Sequence, residues 1–129
     1  MSPSDFGFHN AILSDDGWLR FIDFEYAGWD DPAKTVCDFF CQPALPVSLD
    51  YYHMFVEEVL SDLSEPERHR QRIALLLPLY RLKWCCILLN DFLPVGSQRR
   101  HFAGSTVDQE KQKARQLQKA RQALQSLTR

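Results

Sequence analysis

The spacing of apolar positions changes along the chain, and each change predicts a different element. Residues 1–10 show no period, and Asp5 and Asn10 favour turn geometry, so this segment reads as loop. Ala11 to Leu13 is a short apolar run, read as a strand. Ser14-Asp15-Asp16-Gly17 carries an Asp-Gly turn signal. Trp18 to Asp23 follows as a second strand, with Trp18, Leu19, Phe21 and Ile22 apolar on both sides, which predicts a buried strand. The pair predicts a hairpin. It sets Asn10, just before the first strand, beside Asp23 at the end of the second.

Beyond the loop Tyr26 to Pro32 the period becomes helical. Pro32 opens a helix at a position where its missing N–H costs nothing, and Val36, Phe39 and Phe40 carry it to about Cys41. Pro43 and Pro46 mark a linker. From Leu49 or Asp50, apolar Tyr52, Phe55, Val56, Val59, Leu60 and Leu63 recur at threes and fours, an amphipathic helix with one core face. Ser64-Glu65-Pro66-Glu67 caps and starts the next helix, which runs through Ile73 to Leu77. Pro78 is expected to break or kink it, and a further helix runs to about Phe92. Leu79, Leu82, Trp84, Cys85, Ile87, Leu88 and Leu89 make that segment apolar nearly all round, which predicts a central position, with Trp84 in the core. Leu93 to Ser105 reads as polar loop. Val107 to Leu127 is a last helix with Leu117, Leu124 and Leu127 on a narrow seam. The pattern gives residues 1–42 as loop, hairpin and first helix, 50–92 as helical core and 107–127 as a terminal helix, within one domain.

Composition narrows the classes. The apolar share of 45% and charged share of 25% are those of a globular chain. A net charge of −2 argues against a general nucleic-acid partner. The longest apolar run, Ile73 to Tyr80, is interrupted by Pro78 and is shorter than the roughly 20 residues of a membrane span. The expectation is a cytoplasmic protein with no membrane partner. Four cysteines show no Cys-x-x-Cys spacing, so Cys37, Cys41, Cys85 and Cys86 read as reduced, buried small hydrophobes. The basic last helix, with Lys111, Lys113, Arg115, Lys119 and Arg121, reads as a solvated face, with a docking surface as the alternative.

The candidate chemistry lies at the front of the chain. Asp5, Asn10 and Asp23 are oxygen-bearing side chains set by a loop and a strand end. Phosphoryl transfer uses such a set: a carboxylate to orient or deprotonate an attacking hydroxyl, and an amide oxygen and second carboxylate to hold Mg2+ against the phosphates. Asp5 is the candidate catalytic base, and Asn10 and Asp23 are the candidate nucleotide–metal ligands. Glu25 reads equally as metal assistance or as a salt-bridge partner. Asp38 reads as an anchor hydrogen-bonded to the loop. His9 reads as a turn residue. Trp29, Asp30 and Asp31 lie where substrate could approach, and surface capping explains them equally well.

The order Asp5, Asn10, Ile22-Asp23-Phe24-Glu25 is that of the protein-kinase catalytic loop and Asp-Phe-Gly segment. Pro3-Ser4 in place of His-Arg, and Glu25 in place of the glycine, point away from protein kinases proper. With Gly28, Asp31-Pro32 and Asp38 following in order, residues 2–42 resemble the aminoglycoside phosphotransferase and choline kinase-like family. The resemblance implies an α+β, mainly α fold: the helical carboxy-terminal lobe of a protein-kinase-like enzyme, with a short β-hairpin carrying the catalytic loop. It implies ATP and Mg2+, and a small polar acceptor such as an aminoglycoside, an amino alcohol or a sugar.

Such enzymes have an amino-terminal lobe with a phosphate-covering loop, a lysine and an adenine site. The five glycines here are too scattered for that loop. The expectation is therefore an isolated carboxy-terminal lobe, read as a truncated product, as a chain whose other lobe is supplied separately, or as a relic. An alternative of a different class is a non-catalytic helical interaction domain that self-associates through its hairpin face.

Overall fold

The structure is a computed structural model that describes residues 2, 4–93 and 106–125. The chain is mainly helical, with one small antiparallel sheet. Its residues cluster into two compact units, Met1–Tyr80 and Arg81–Arg129.

The first unit opens with a 3-10 turn, Phe8–Asn10, followed by strands β1, Ala11–Leu13, and β2, Leu19–Phe21. The strands pair with Ala11 opposite Phe21 and Leu13 opposite Leu19. Gly17 takes the left-handed conformation at φ 81° that closes the turn. Asp16 accepts from the Trp18 N–H and pairs with Arg20, and Arg20 also donates to Ser14. The hairpin forms as the sequence predicts, but β2 is shorter and it is not buried. Trp18 is 70% exposed, and Leu19 and Ile22 are also exposed. The reason is topological: a sheet of two strands leaves both edges and one face open unless another layer covers them.

Helix α1, Pro32–Cys41, has Asp31 as its cap, accepting from the Ala33 N–H at 2.9 Å. Ala33, Val36 and Cys37 form its buried face. Gln42 stops it: its buried side chain accepts from the N–H groups of Ala44 and Leu45 and donates to the Leu45 carbonyl, which turns the chain away. Ser48 caps the short 3-10 turn Leu49–Tyr51, which leads into α2, Tyr52–Leu60. Val56 and Leu60 of α2 meet the α1 face and Ile73 to form the core, with Tyr52, Phe55, Val59, Leu63, Leu76 and Leu77 around it. Arg72 closes the arrangement from outside, its Nε 2.7 Å from Asp31 Oδ2.

Helix α3, Pro66–Leu88, runs through Pro78 without a break, so the two helices expected from the sequence are one. A proline inside a helix removes one hydrogen bond, here to the Ala74 carbonyl. Pro78 and Ala74 are both exposed, so water can take that carbonyl. The helix ends at Leu88, and a 3-10 turn, Leu89–Phe92, follows.

In the second unit Cys85 and Leu88 are buried and Leu82, Ile87 and Leu89 are exposed. The apolar residues after Pro78 therefore do not make a central helix, because only one stripe of them is covered. Trp84 is half-buried. Helix α4, Thr106–Gln125, buries Ala120, and the Cys85 thiol donates to the Ala120 carbonyl. Leu117 is half-buried and Leu124 exposed, and Leu127 and the loop 94–105 lie outside the described residues. All four cysteines are free thiols, but Cys86 is exposed, unlike the buried hydrophobe its sequence context suggests. By length and composition Pro66–Phe92 is apolar enough to cross a membrane, with mean hydropathy 1.5 over its most apolar stretch. Of that stretch, 17% is buried within the structure.

Candidate active site

Phe6 fixes the loop that carries the site. Its ring lies 4.6 Å from that of Phe21 in β2, 5.4 Å from Phe39 in α1 and 6.2 Å from Phe55 in α2. Phe39 and Phe55 stack at 4.4 Å behind it. The residue after Asp5 is thus anchored against the hairpin and both helices. An apolar groove of about 460 Å³ opens beside this cluster, lined by Phe6, Phe8, Phe21, Phe39, Val47 and Met54 among others.

The loop closes on itself. Asn10 Nδ2 donates to the Asp5 carbonyl at 3.0 Å, and the Asn10 N–H donates to the Gly7 carbonyl at 3.0 Å. The Ile22 N–H donates to the Asn10 carbonyl at 2.9 Å, which extends the hairpin register by one pair. Asn10 is therefore bonded to Asp5 on one side and paired with the residue before Asp23 on the other. The predicted neighbourhood of Asp5, Asn10 and Asp23 exists in the backbone.

The side chains differ from expectation in one respect. Asp23 is exposed, at φ 61°, and makes no hydrogen bond or ion pair among the described residues. A carboxylate ending a buried strand would need neutralising; this strand is not buried, so that argument for Asp23 falls. Glu25 sits exposed in the turn Phe24–Ala27, closed by the Ala27 N–H on the Phe24 carbonyl. Among the described residues no three His, Cys, Asp or Glu side chains converge as a metal cluster.

Oxygen ligands are the type a hard cation takes. The hydrogen bond to Asp5 commits the Asn10 amide nitrogen and leaves its oxygen as an acceptor, and the Asp23 carboxylate has no partner among the described residues. Magnesium keeps several waters and needs few protein oxygens.

His9 is the residue that sequence reasoning undervalued. Its Nε2 lies 3.4 Å from Asp5 Oδ1, and its ring is 19% exposed against 54% for Asp5. The ring rests on Gly7, where a Cβ would sit 2.6 Å from Nδ1. The signal available in the sequence was the glycine two residues before the histidine, which is legible only once the turn is known.

Asp30 and Asp31 are engaged at the head of α1. Asp31 caps the helix and pairs with Arg72, and Asp30 accepts from the Asp31 N–H and pairs with Lys34 at 2.8 Å. Capping accounts for Asp31, whereas Asp30, with Trp29, lines a cavity of about 610 Å³. Trp29 beside them is 94% exposed. Asp38 is buried, 3.7 Å from Lys34 Nζ. Comparison of the chain with family models, with curated proteins and with solved structures finds no match.

Proposed function

We propose that the chain is the catalytic-loop lobe of a kinase-like phosphotransferase, transferring a phosphoryl group from ATP to a hydroxyl of a small polar molecule. It resembles the aminoglycoside phosphotransferase and choline kinase-like enzymes in the order of its motif residues. The observation that carries the reading is the Asn10 Nδ2 bond to the Asp5 carbonyl, together with the pairing of Asn10 with Ile22. It ties Asn10 to the backbone of Asp5 and to Ile22, the residue before Asp23, which supports a shared neighbourhood for the three motif positions.

In this reading Asp5 accepts the proton of the acceptor hydroxyl as its oxygen bonds to the γ-phosphorus. The bond from that phosphorus to the β–γ bridging oxygen breaks, and ADP leaves with the electron pair. The Asn10 oxygen and the Asp23 carboxylate would hold Mg2+, which would supply neutralisation of phosphate charge. Glu25 assists from the adjacent turn. The acceptor class is an aminoglycoside, amino alcohol or sugar. The reading adds a second lobe, from a longer product or a separate chain, to complete the nucleotide site. The reading places the enzyme in the cytoplasm.

The test is thermal unfolding with Mg2+ and ATP, beside Asp23→Ala. Saturation at about 100 times the dissociation constant stabilises the folded chain by about 2.7 kcal/mol, a midpoint rise on the order of 10 °C. The rise is expected in the native sequence and not in the variant. A cooperative melt with no rise in either refutes a nucleotide site in this chain.

A second reading, a non-catalytic helical domain that associates through its hairpin, is favoured by the exposure of Ile12, Leu13, Trp18 and Leu19 on that element. An oligomer that dissociates on Leu13→Glu, with no nucleotide response, would select it.

A further inference from the structure

Lys34 has no place in the chemistry described so far, yet its ammonium contacts Ser4, Asp30 and Asp38. It stands on the first turn of α1, with Asp30 four residues before and Asp38 four residues after. Its Nζ is 2.8 Å from Asp30 Oδ2 and 3.7 Å from Asp38 Oδ2. It also donates to the Ser4 carbonyl at 2.7 Å and to Ser4 Oγ at 3.1 Å. An ammonium has three donors and no acceptor. Here both oxygens of Ser4 take part, and the flanking carboxylates balance the charge.

Ser4 needs that hold. Its φ is 70°, a left-handed conformation that non-glycine residues adopt at a cost and keep only where surroundings fix it. The segment before it is also tied to α1 and its approach. Ser2 pairs with Gly28 through both backbone groups, and Ser2 Oγ lies 3.0 Å from Thr35 Oγ1. The Ser4 N–H donates to Ser2 Oγ.

The consequence falls on Asp5. The Ser4 carbonyl belongs to the peptide plane that leads into Asp5, and Lys34 fixes it. The Asp5 carbonyl belongs to the plane that leads out, and Asn10 Nδ2 fixes that one. Peptide planes are rigid, so fixing both fixes the Asp5 Cα and the direction of its side chain's first bond. We infer that Lys34 is a positioning residue: it locks the left-handed Ser4 so that the Asp5 carboxylate is presented from a fixed backbone, without touching the reacting groups. Its consequence for catalysis rests on the phosphotransferase reading; the locking itself does not.

The experiment compares the 15N-labelled full chain with Lys34→Met, Lys34→Arg and Arg72→Met. Arg72→Met breaks a contact to the head of the same helix that does not reach Ser4, and serves as the control. In Lys34→Met the amide signals of Ser4, Asp5 and Phe6, and the side-chain amide of Asn10, are expected to move severalfold more than in the control. Affinity for Mg2+-ATP is expected to fall at least tenfold.

Lys34→Arg keeps the charge between Asp30 and Asp38 but replaces a compact ammonium by a longer planar fork. It is expected to melt with the native chain and still shift the same signals. Loop signals in Lys34→Met no further displaced than in Arg72→Met overturn the inference. If Lys34→Met does not fold, Lys34→Arg decides: native melting together with native Ser4–Asn10 signals overturns it. A native chain that binds no Mg2+-ATP removes the phosphotransferase reading alone, and the amide signals still decide whether Lys34 locks the loop.

Discussion

Replacing Gly7 by alanine has an effect whose sign depends on one other residue. Gly7 has φ 176° and ψ 165°, an extended conformation open to any residue, so alanine meets no backbone penalty. It meets the His9 ring instead: the new Cβ would lie 2.6 Å from Nδ1 and 2.7 Å from Cε1. That ring is mostly buried and must swing away, losing its approach to Asp5. Overpacking of this kind costs about 1–3 kcal/mol. Against it, alanine stiffens the unfolded chain and contributes about 0.4–1 kcal/mol of stability. The net expectation for Gly7→Ala is a loss of about 0.5–2 kcal/mol.

In a His9→Ala background the obstacle is gone and only the second effect remains, so the same substitution should stabilise by about 0.4–1 kcal/mol. Urea unfolding followed by circular dichroism measures both. With a slope near 2 kcal/mol per molar, the midpoint should fall by about 0.3–1 M in the first background and rise by about 0.2–0.5 M in the second. The four chains form a cycle that isolates the contact. Equal costs of Gly7→Ala in both backgrounds, or a gain in the first, would refute the placement of His9 over Gly7 and with it the His9–Asp5 pair.

Other perturbations probe other parts. Burial, then the negative charges of Asp38 and its neighbours, push the Tyr80 hydroxyl up to about 12. An unfolded tyrosine ionises near 10, so this group stabilises the fold fully below that pH and loses its contribution as pH rises from 10 towards 12. Absorbance titration should show a late-ionising tyrosine that Tyr80→Phe removes; a titration whose late phase is unchanged by Tyr80→Phe would contradict it. Asp31→Ala removes the α1 cap and frees Arg72, for an expected loss of about 1–2 kcal/mol in urea unfolding; a change under a few tenths would show that the cap is replaced. Pro78→Ala restores a helix hydrogen bond and should raise the melting midpoint by the equivalent of about 1–2 kcal/mol after the opposing unfolded-chain effect; a lower midpoint would mean that Pro78 has a packing role.

The helices were legible because their signals were local. Pro32 after Asp31 marks a start, Pro43 marks a stop, and the threes and fours of α2 pick out Val56 and Leu60. The hairpin was legible for the same reason, since Asp-Gly turns are written in adjacent residues. Burial was less so. Trp18 to Ile22 reads as a core strand, but burial depends on whether a second layer exists, which no local pattern records. The run after Pro78 misled in the same way.

At the site, the order of Asp5, Asn10 and Asp23 gave the neighbourhood, because a register of pairs follows from the turn between them. Lys34 and His9 were only partly legible. Asp30 and Asp38, four residues to either side of Lys34, are visible as pairing partners, but its hold on a left-handed Ser4 and the approach of His9 to Asp5 are not, because neither a carbonyl nor a φ angle leaves a mark in the sequence.

The cysteines have a practical consequence. One buried thiol lies in each compact unit: Cys37 in Met1–Tyr80 and Cys85 in Arg81–Arg129. Cys86, next to Cys85, is exposed. An alkylating reagent reacts with a thiolate it can reach, so Cys86 should be consumed first and act as an internal clock. Labelling of Cys37 and Cys85 then waits on the opening of their own surroundings. Peptide mass spectra taken over time would therefore record two opening rates from one sample of the native chain. Equal rates would mean that the two halves unfold as one cooperative body, and unequal rates would rank which half lets go first.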